Sequence, residues 1–300
     1  MNPLAILAIV VALVVGYFGI SATDFFSLGG SGPIATGPGS YEVRNPQPIS
    51  PGGTSGGGSR QESGTQTNLR PGESPYTGQV RISTVERFGD RPEQEYVIIR
   101  YGGGFFGLGS QSNREPPINM TGWRIGSAKS SEVIPRAFNI SEIDATEQDI
   151  ILPSGGELIV VTGTPAYQRN FRENACVGYF NESHAFTPFL SSSCADRPVD
   201  RSELLRRGFN GACIDAIRDI PECRQNRRSL FAGIIGQDCA DYIAKNFSYV
   251  ACVRDFRDQR DFLKNTWRVS LKRSQKLFDS RHDRVILRDR QGLLVDEFEY

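Results

Sequence analysis

Three groups of residues in this chain have types and spacings that could do chemistry. The first is Gly102-Gly103-Gly104-Phe105-Phe106-Gly107, which follows a strand-like run and fits the letters G-x-G-x-x-G. That pattern cradles a pyrophosphate only where it opens a helix, because the helix N-terminus supplies the N–H donors. Here Leu108-Gly109-Ser110-Gln111 and then Pro116-Pro117 follow, so no helix begins. The segment reads as a loop presenting Phe105 and Phe106 as a contact surface, and no cofactor is expected.

The second group is the two histidines, His184 and His282. A nucleophilic site needs a Ser or Cys within reach of a base and a carboxylate that orients the base. Both histidines read as surface positions. Carboxylates are plentiful, but in a β-rich chain acid and base come from distant strands, so spacing does not reveal a pair.

The third group is Cys176, Cys194, Cys213, Cys223, Cys239 and Cys252, an even number confined to one region. A zinc site favours short C-x₂₋₄-C pairs with histidine nearby, and no such pair occurs, so no metal is expected. Three disulfides in an oxidising compartment are the expectation. Close by, Arg224, Arg227 and Arg228 fall in one short run, Arg224-Gln225-Asn226-Arg227-Arg228, a candidate contact surface for phosphate or carboxylate groups. Lys and Arg total 34 and Asp and Glu total 34, so no global field draws in nucleic acid, which is not expected as a partner.

The elements that must position these residues change along the chain. Leu4 to Ile20 is an uncharged apolar run that reaches the ~17–25 residues needed to span a bilayer. It has no basic flank before it and only a mediocre cleavage site, so residues 1–23 are expected to form an uncleaved transmembrane anchor. No basic residue precedes Arg44, so charge does not orient the segment, and the cysteines place the folded part outside the cytoplasm. Residues 24–78 are rich in Gly, Pro and Ser and read as a flexible tether, with a span of about 40 Å for a coil of this length.

From Gln79 the pattern becomes β. Val80–Val85, Glu95–Tyr101, Met120–Gly126, Val133–Phe138 and Glu157–Thr162 carry strand signals. The chain ends in a hairpin in which Val285, Leu287, Val295 and Phe298 are expected to face a core, with Gln291-Gly292 as its turn. Between them, Ser202–Arg207, Cys213–Ile220 and Asp238–Phe247 read as helices, while Tyr249–Phe256 is ambiguous. The fold class expected is mainly β, a sandwich with a disulfide-stapled helical insertion at 179–264.

Four blocks carry a resemblance. Glu95-Tyr96-Val97-Ile98-Ile99, Ile118-Asn119-Met120-Thr121-Gly122-Trp123-Arg124-Ile125, Leu152-Pro153-Ser154-Gly155-Gly156-Glu157-Leu158-Ile159-Val160 and the terminal hairpin resemble, in order and chemistry, the lamin tail domain, an immunoglobulin-like β-sandwich. The resemblance covers residues 79–178 and 265–300. It implies that Trp123 is buried in the core and that the turn Pro153–Gly156 leads into a central strand. The chain departs from that family at Phe278–Asp283, where a Trp-Asn-Gly-Gly-like approach is common, and at 179–264, which has no counterpart.

In the insert, Cys213-Ile214-Asp215-Ala216-Ile217 and Cys239-Ala240-Asp241-Tyr242-Ile243 share a C-x-D-x-I pattern. An antiparallel helical hairpin would pair Cys213 with Cys252 and Cys223 with Cys239, leaving Cys176 for Cys194. Local pairing within each repeat is the rival. The resemblance implies a noncatalytic interaction domain, so the function expected is a membrane-anchored, extracytoplasmic binding or structural module for a protein or envelope polymer. The alternative is an exported hydrolase with its site between insert and sandwich, served by the Arg224–Arg228 run and by Asp283 or Asp289.

Overall fold

The structure is a computed structural model that describes residues 69–102, 115–195, 197–224 and 232–300. The expected anchor, the tether up to residue 68, Phe105, Phe106, Arg227 and Arg228 lie outside the described residues. Among the described residues, no helix is long and apolar enough to cross a membrane.

The described chain is a mixed α/β domain, mostly strands in three sheets, with a helical segment bearing three disulfides. In chain order the strands are β1 (Val80–Glu86), β2 (Tyr96–Tyr101), β3 (Ile118–Asn119), β4 (Arg124–Gly126), β5 (Ser131–Val133), β6 (Ile151–Leu152), β7 (Glu157–Val161), β8 (Phe171–Asn174), β9 (Leu263–Ser270), β10 (Arg284–Arg288) and β11 (Leu294–Glu299). One sheet has the order β1-β2-β7-β9-β8 and a second β11-β10-β4-β5, while β3 and β6 make a small third sheet. Among the described strands, β7 and β9 are the one pair that runs parallel, in keeping with the long helical excursion that joins β8 to β9.

Burial follows sheet position. β2 alternates, burying Val97, Ile99 and Tyr101, whereas β7 buries four consecutive residues, Leu158–Val161, because both of its faces are covered. Val97, Ile99, Leu158, Val160 and Trp267 of the first sheet share one core with Ile125, Val285, Leu287 and Val295 of the second. Trp123 is 2% exposed in that core, and Tyr76 packs on its ring at 5.2 Å. The turn Pro153–Gly156 feeds directly into β7, a central strand.

Three local expectations are corrected. Val133–Phe138 is not a continuous strand: β5 ends at Val133, Pro135 has no N–H to give, and Ala137 and Phe138 make single bridges to Gln148 and Phe171. Met120–Trp123 is a turn, so only the last part of Met120–Gly126 is extended. In the terminal hairpin Gly292 supplies the positive φ (+82°) and Val295 is buried, but Phe298 is 38% exposed. Residues three apart on a regular strand point to opposite faces, and the core takes Val295. The packed body also begins ahead of Gln79. Ser74 is fully buried and donates its N–H to Leu294 O at 2.7 Å, so the last residues assigned to the tether belong to the folded unit.

The excursion from Ala175 to Phe262 holds a 3-10 turn (Val177–Glu182) and the helices α1 (Arg201–Arg206), α2 (Gly211–Arg218), α3 (Ala232–Ile235), α4 (Gln237–Asn246) and α5 (Tyr249–Phe256). Polar side chains start three of them: Asp200 accepts from Ser202 and Glu203 N–H, Asn210 from Cys213 N–H and Ser248 from Ala251 N–H. The disulfides are Cys176–Cys252, Cys194–Cys223 and Cys213–Cys239, which replaces every pairing expected from the helical hairpin and from the local rival. The reason is visible in the helices. α2 buries Cys213, Ile214 and Ile217, α4 buries Cys239, Ala240 and Ile243, and these matching stripes pack in one cluster with their cysteines adjacent.

Candidate functional site

The seam where the excursion meets β8 and β9 brings polar side chains together beside an open groove. Cys176, two residues beyond β8, is bonded to Cys252 on α5, which fixes the helical segment against the sheet edge. Tyr167, Phe171, Val177, Phe180, Tyr249, Val253 and Phe262 fill the space between them. Tyr167 stacks on Phe180 at 4.6 Å, and Phe180 lies 4.5 Å from Tyr249. Burial pushes the phenols of Tyr167 and Tyr249 upward, so both stay neutral and act as hydrogen-bonding groups.

Polar residues are wired into this packing. Asn174 donates its amide to Tyr249 Oη at 3.0 Å and accepts from Cys176 N–H at 2.9 Å. Arg268 on β9 is 8% exposed, pairs with Glu173 on β8, and donates to Pro188 O (2.7 Å) and Phe189 O (3.1 Å). It pins the loop after the 3-10 turn to the sheet. A groove of about 510 Å³ lies at the seam, lined among others by Glu173, Asp261, Lys264, Gln259, Ser191 and Ser193.

The arrangement can donate to and accept from a polar ligand. Its ionisable groups are mostly held in structural bonds: Glu173 by Arg268, and Lys264 Nζ by Asp261 O at 3.2 Å. His184 is partly exposed, with its ring edge-on to Tyr167 at 5.1 Å. Its Nδ1 lies 2.8 Å from Ser183 Oγ, a contact between chain neighbours at the end of the 3-10 turn. His282 is exposed. Among the described residues, no cluster of three His, Cys, Asp or Glu side chains could hold a metal ion.

The residues singled out from sequence do not converge. All six cysteines are disulfide-bonded. Arg224 is exposed just beyond Cys223 and does not line the seam groove. Asp283 accepts from Asp279 N–H and Arg284 N–H in a turn, and Asp289 is 1% exposed, accepting from Gln291 N–H and Leu293 N–H in the terminal hairpin. Neither lines the seam groove. Sequence reasoning missed Glu173, Asn174 and Arg268. Both strands are mostly polar in sequence, so nothing set these three residues apart until β8 and β9 are known to pair.

Comparison with family models, with curated proteins and with solved structures gives no match.

Proposed function

We propose that this chain is a membrane-anchored, exported binding or structural module, presenting a lamin-tail-like, immunoglobulin-like sandwich to a protein or an envelope polymer. The observation that carries the reading is the set of three disulfides, which point to an extracytoplasmic domain. The apolar run at Leu4–Ile20 supports an anchor. Buried Trp123, the turn into β7 and the closing hairpin β10–β11 support the likeness to the lamin tail domain. A rigid, stapled surface with an open polar groove suits binding, and the functional class follows from these features taken together.

The test is intact mass after thiol alkylation, with and without prior reduction, on protein taken from the native membrane fraction, followed by pull-down against envelope polymers and surface proteins. Six thiols blocked only after reduction, with retention on one ligand class, is the expected result. Six thiols labelled at once would overturn it. A second reading, an exported hydrolase, draws on the seam groove with Asp261, Lys264 and two serine hydroxyls. Hydrolysis of chromogenic ester, phosphate or glycoside substrates, lost in Asp261→Asn, would carry that reading instead.

A further inference from the structure

A second groove lies on the outer face of the four-stranded sheet. β10 and β4 pair so that Ile286 stands opposite Gly126 and Arg288 opposite Arg124, with both arginines exposed. A β-carbon on Gly126 would run into the carbonyl oxygen of Ser130 and the Cα of Ser131, so this position stays bare. Alongside it lies the groove, of about 270 Å³, lined by Ile286, Arg124, Arg288 and Lys129.

The charges are arranged against the stability of the sheet. Like charges directly opposite on neighbouring strands repel, and Arg124 faces Arg288. At the other end of β10 the equivalent arginine is compensated, Arg284 lying 3.4 Å from Glu297. Among the described residues neither Arg124 nor Arg288 is in an ion pair. Arg124 donates through Nε and Nη2 to Ser131 Oγ at 3.2 and 3.0 Å, and Arg288 donates through Nη1 to Gly292 O at 3.1 Å, both neutral acceptors. Lys129 has Asp279 within electrostatic reach. Guarding of a sheet edge accounts for cations on edge strands, but β4 and β10 are the inner strands of this sheet.

We propose, resting on the binding-module reading above, that this groove binds a carboxylate-bearing sugar unit of an acidic polysaccharide. The guanidinium pair takes the carboxylate in forked N–H geometry. Ile286 gives the C–H face of the sugar ring an apolar floor, and the lining hydroxyls of Ser127 and Ser130 meet the sugar's own. A bare phosphate would leave Ile286 unused. Single-stranded nucleic acid favours an aromatic stacking platform, and no aromatic side chain lines the groove. The volume falls just below the ~300–1,000 Å³ of sites that enclose a whole small ligand, which suits one unit of a longer chain.

The test uses the full chain in mild detergent, titrated with polygalacturonate, with neutral dextran, and with vesicles containing an anionic phospholipid. The variants are Arg124→Gln and Arg288→Glu. The second would place a carboxylate opposite Arg124, so it should raise thermal stability while removing the cationic pair. The expected result is binding to polygalacturonate alone, weakened with salt, and at least tenfold weaker in both variants with no loss of melting temperature. Polygalacturonate binding that both variants retain would overturn the groove assignment and leave the module reading standing. Binding of phospholipid vesicles alone, lost in the same variants, would overturn the sugar assignment. If none of the probes binds while pull-down finds a protein partner, this inference fails and the module reading survives; if the thiols prove reduced, the failure is in the module reading itself.

Discussion

Cys213 and Cys239 occupy the same position in two copies of one helical pattern and are bonded to each other, their Cα atoms 5.9 Å apart. The bond lies in a core of its own, with Leu204, Ile214, Ile217, Ile243 and Phe247, which shares no residue with the core between the two larger sheets. That small cluster has to hold α1, α2 and α4 together, and a core of this size leans on a covalent staple. For a sequence separation of 26, the chain-entropy model gives the staple about 3.5 kcal/mol. Cys213→Ser with Cys239→Ser is therefore expected to lower the helical segment's stability by a few kcal/mol. Protease cutting within 201–246 should rise while the strands stay protected. Digestion of the unreduced wild-type chain should release peptides joined through these two cysteines. A Cys213–Cys252 peptide would show the connectivity to be wrong.

Much of the strand pattern was legible because burial in a sheet leaves a period of two, as in Val97, Ile99 and Tyr101, and because Gly292 marks a turn that needs positive φ. The helices α1, α2 and α4 were legible, α2 with Pro221 just beyond its end, whereas α5 read as ambiguous and α3 was not read at all. The disulfides were only half legible. An even cysteine count announces bridges, but pairing depends on which helix faces meet, and the equal buried stripes of α2 and α4 carried that information without being used. The seam and the sheet-face groove were not legible, because β8 meets β9 across 88 intervening residues, from Ala175 to Phe262, and Arg124 meets Arg288 only through the register of β4 and β10.

Arg268 and Glu173 form a largely buried ion pair at the seam, and their loss should be asymmetric. Removing one partner of a buried pair leaves the other charge uncompensated, at a cost of about 3–5 kcal/mol, whereas replacing both with apolar residues recovers much of it. Arg268→Met is thus expected to shift the urea midpoint strongly and to free the Pro188–Phe189 loop, whose two carbonyls lose their donor. Adding Glu173→Leu should move the midpoint back toward wild type. A single variant within about 1 kcal/mol of wild type, the usual range for an exposed pair, would show that the pair is effectively solvated.

Glu95 is fully buried and accepts from the backbone N–H groups of Leu277 (2.7 Å) and Phe278 (3.4 Å), with Lys276 Nζ at 4.0 Å. It clamps the segment leading to β10 onto the first sheet. Glu95→Ala orphans two buried donors at about 1–3 kcal/mol each. Amide exchange at Leu277 and Phe278 should accelerate well beyond that of neighbouring β2 amides. Glu95→Gln, which keeps one acceptor oxygen, should lie between the two. Equal exchange in all three proteins would show that the clamp does not hold this segment.

Two aspartates should push stability in opposite directions as pH changes. Burial raises Asp296 above the ordinary carboxylate value, although its Oδ2 accepts from Ile82 N–H at 2.7 Å. Its ionisation therefore opposes folding above that raised value, and the opposition disappears as pH falls below the ordinary one, 3.8. Asp255 is lowered, first by its hydrogen bond from Arg254 and further by the charge of Arg197, so it favours folding above 3.8 and loses that contribution as pH falls through its depressed value. Melting temperatures of Asp296→Asn and Asp255→Asn relative to wild type, measured from pH 7 down to about pH 3, should reveal both signs. The first variant should gain most at neutral pH and converge on a pH-independent offset in acid. The second should lose most at neutral pH, with its deficit shrinking only toward the acid end, because Asp255 remains ionised in the folded chain below the pH at which it protonates in the unfolded one. Parallel curves for the two variants would mean that neither the burial of Asp296 nor the arginines around Asp255 sets the pH dependence.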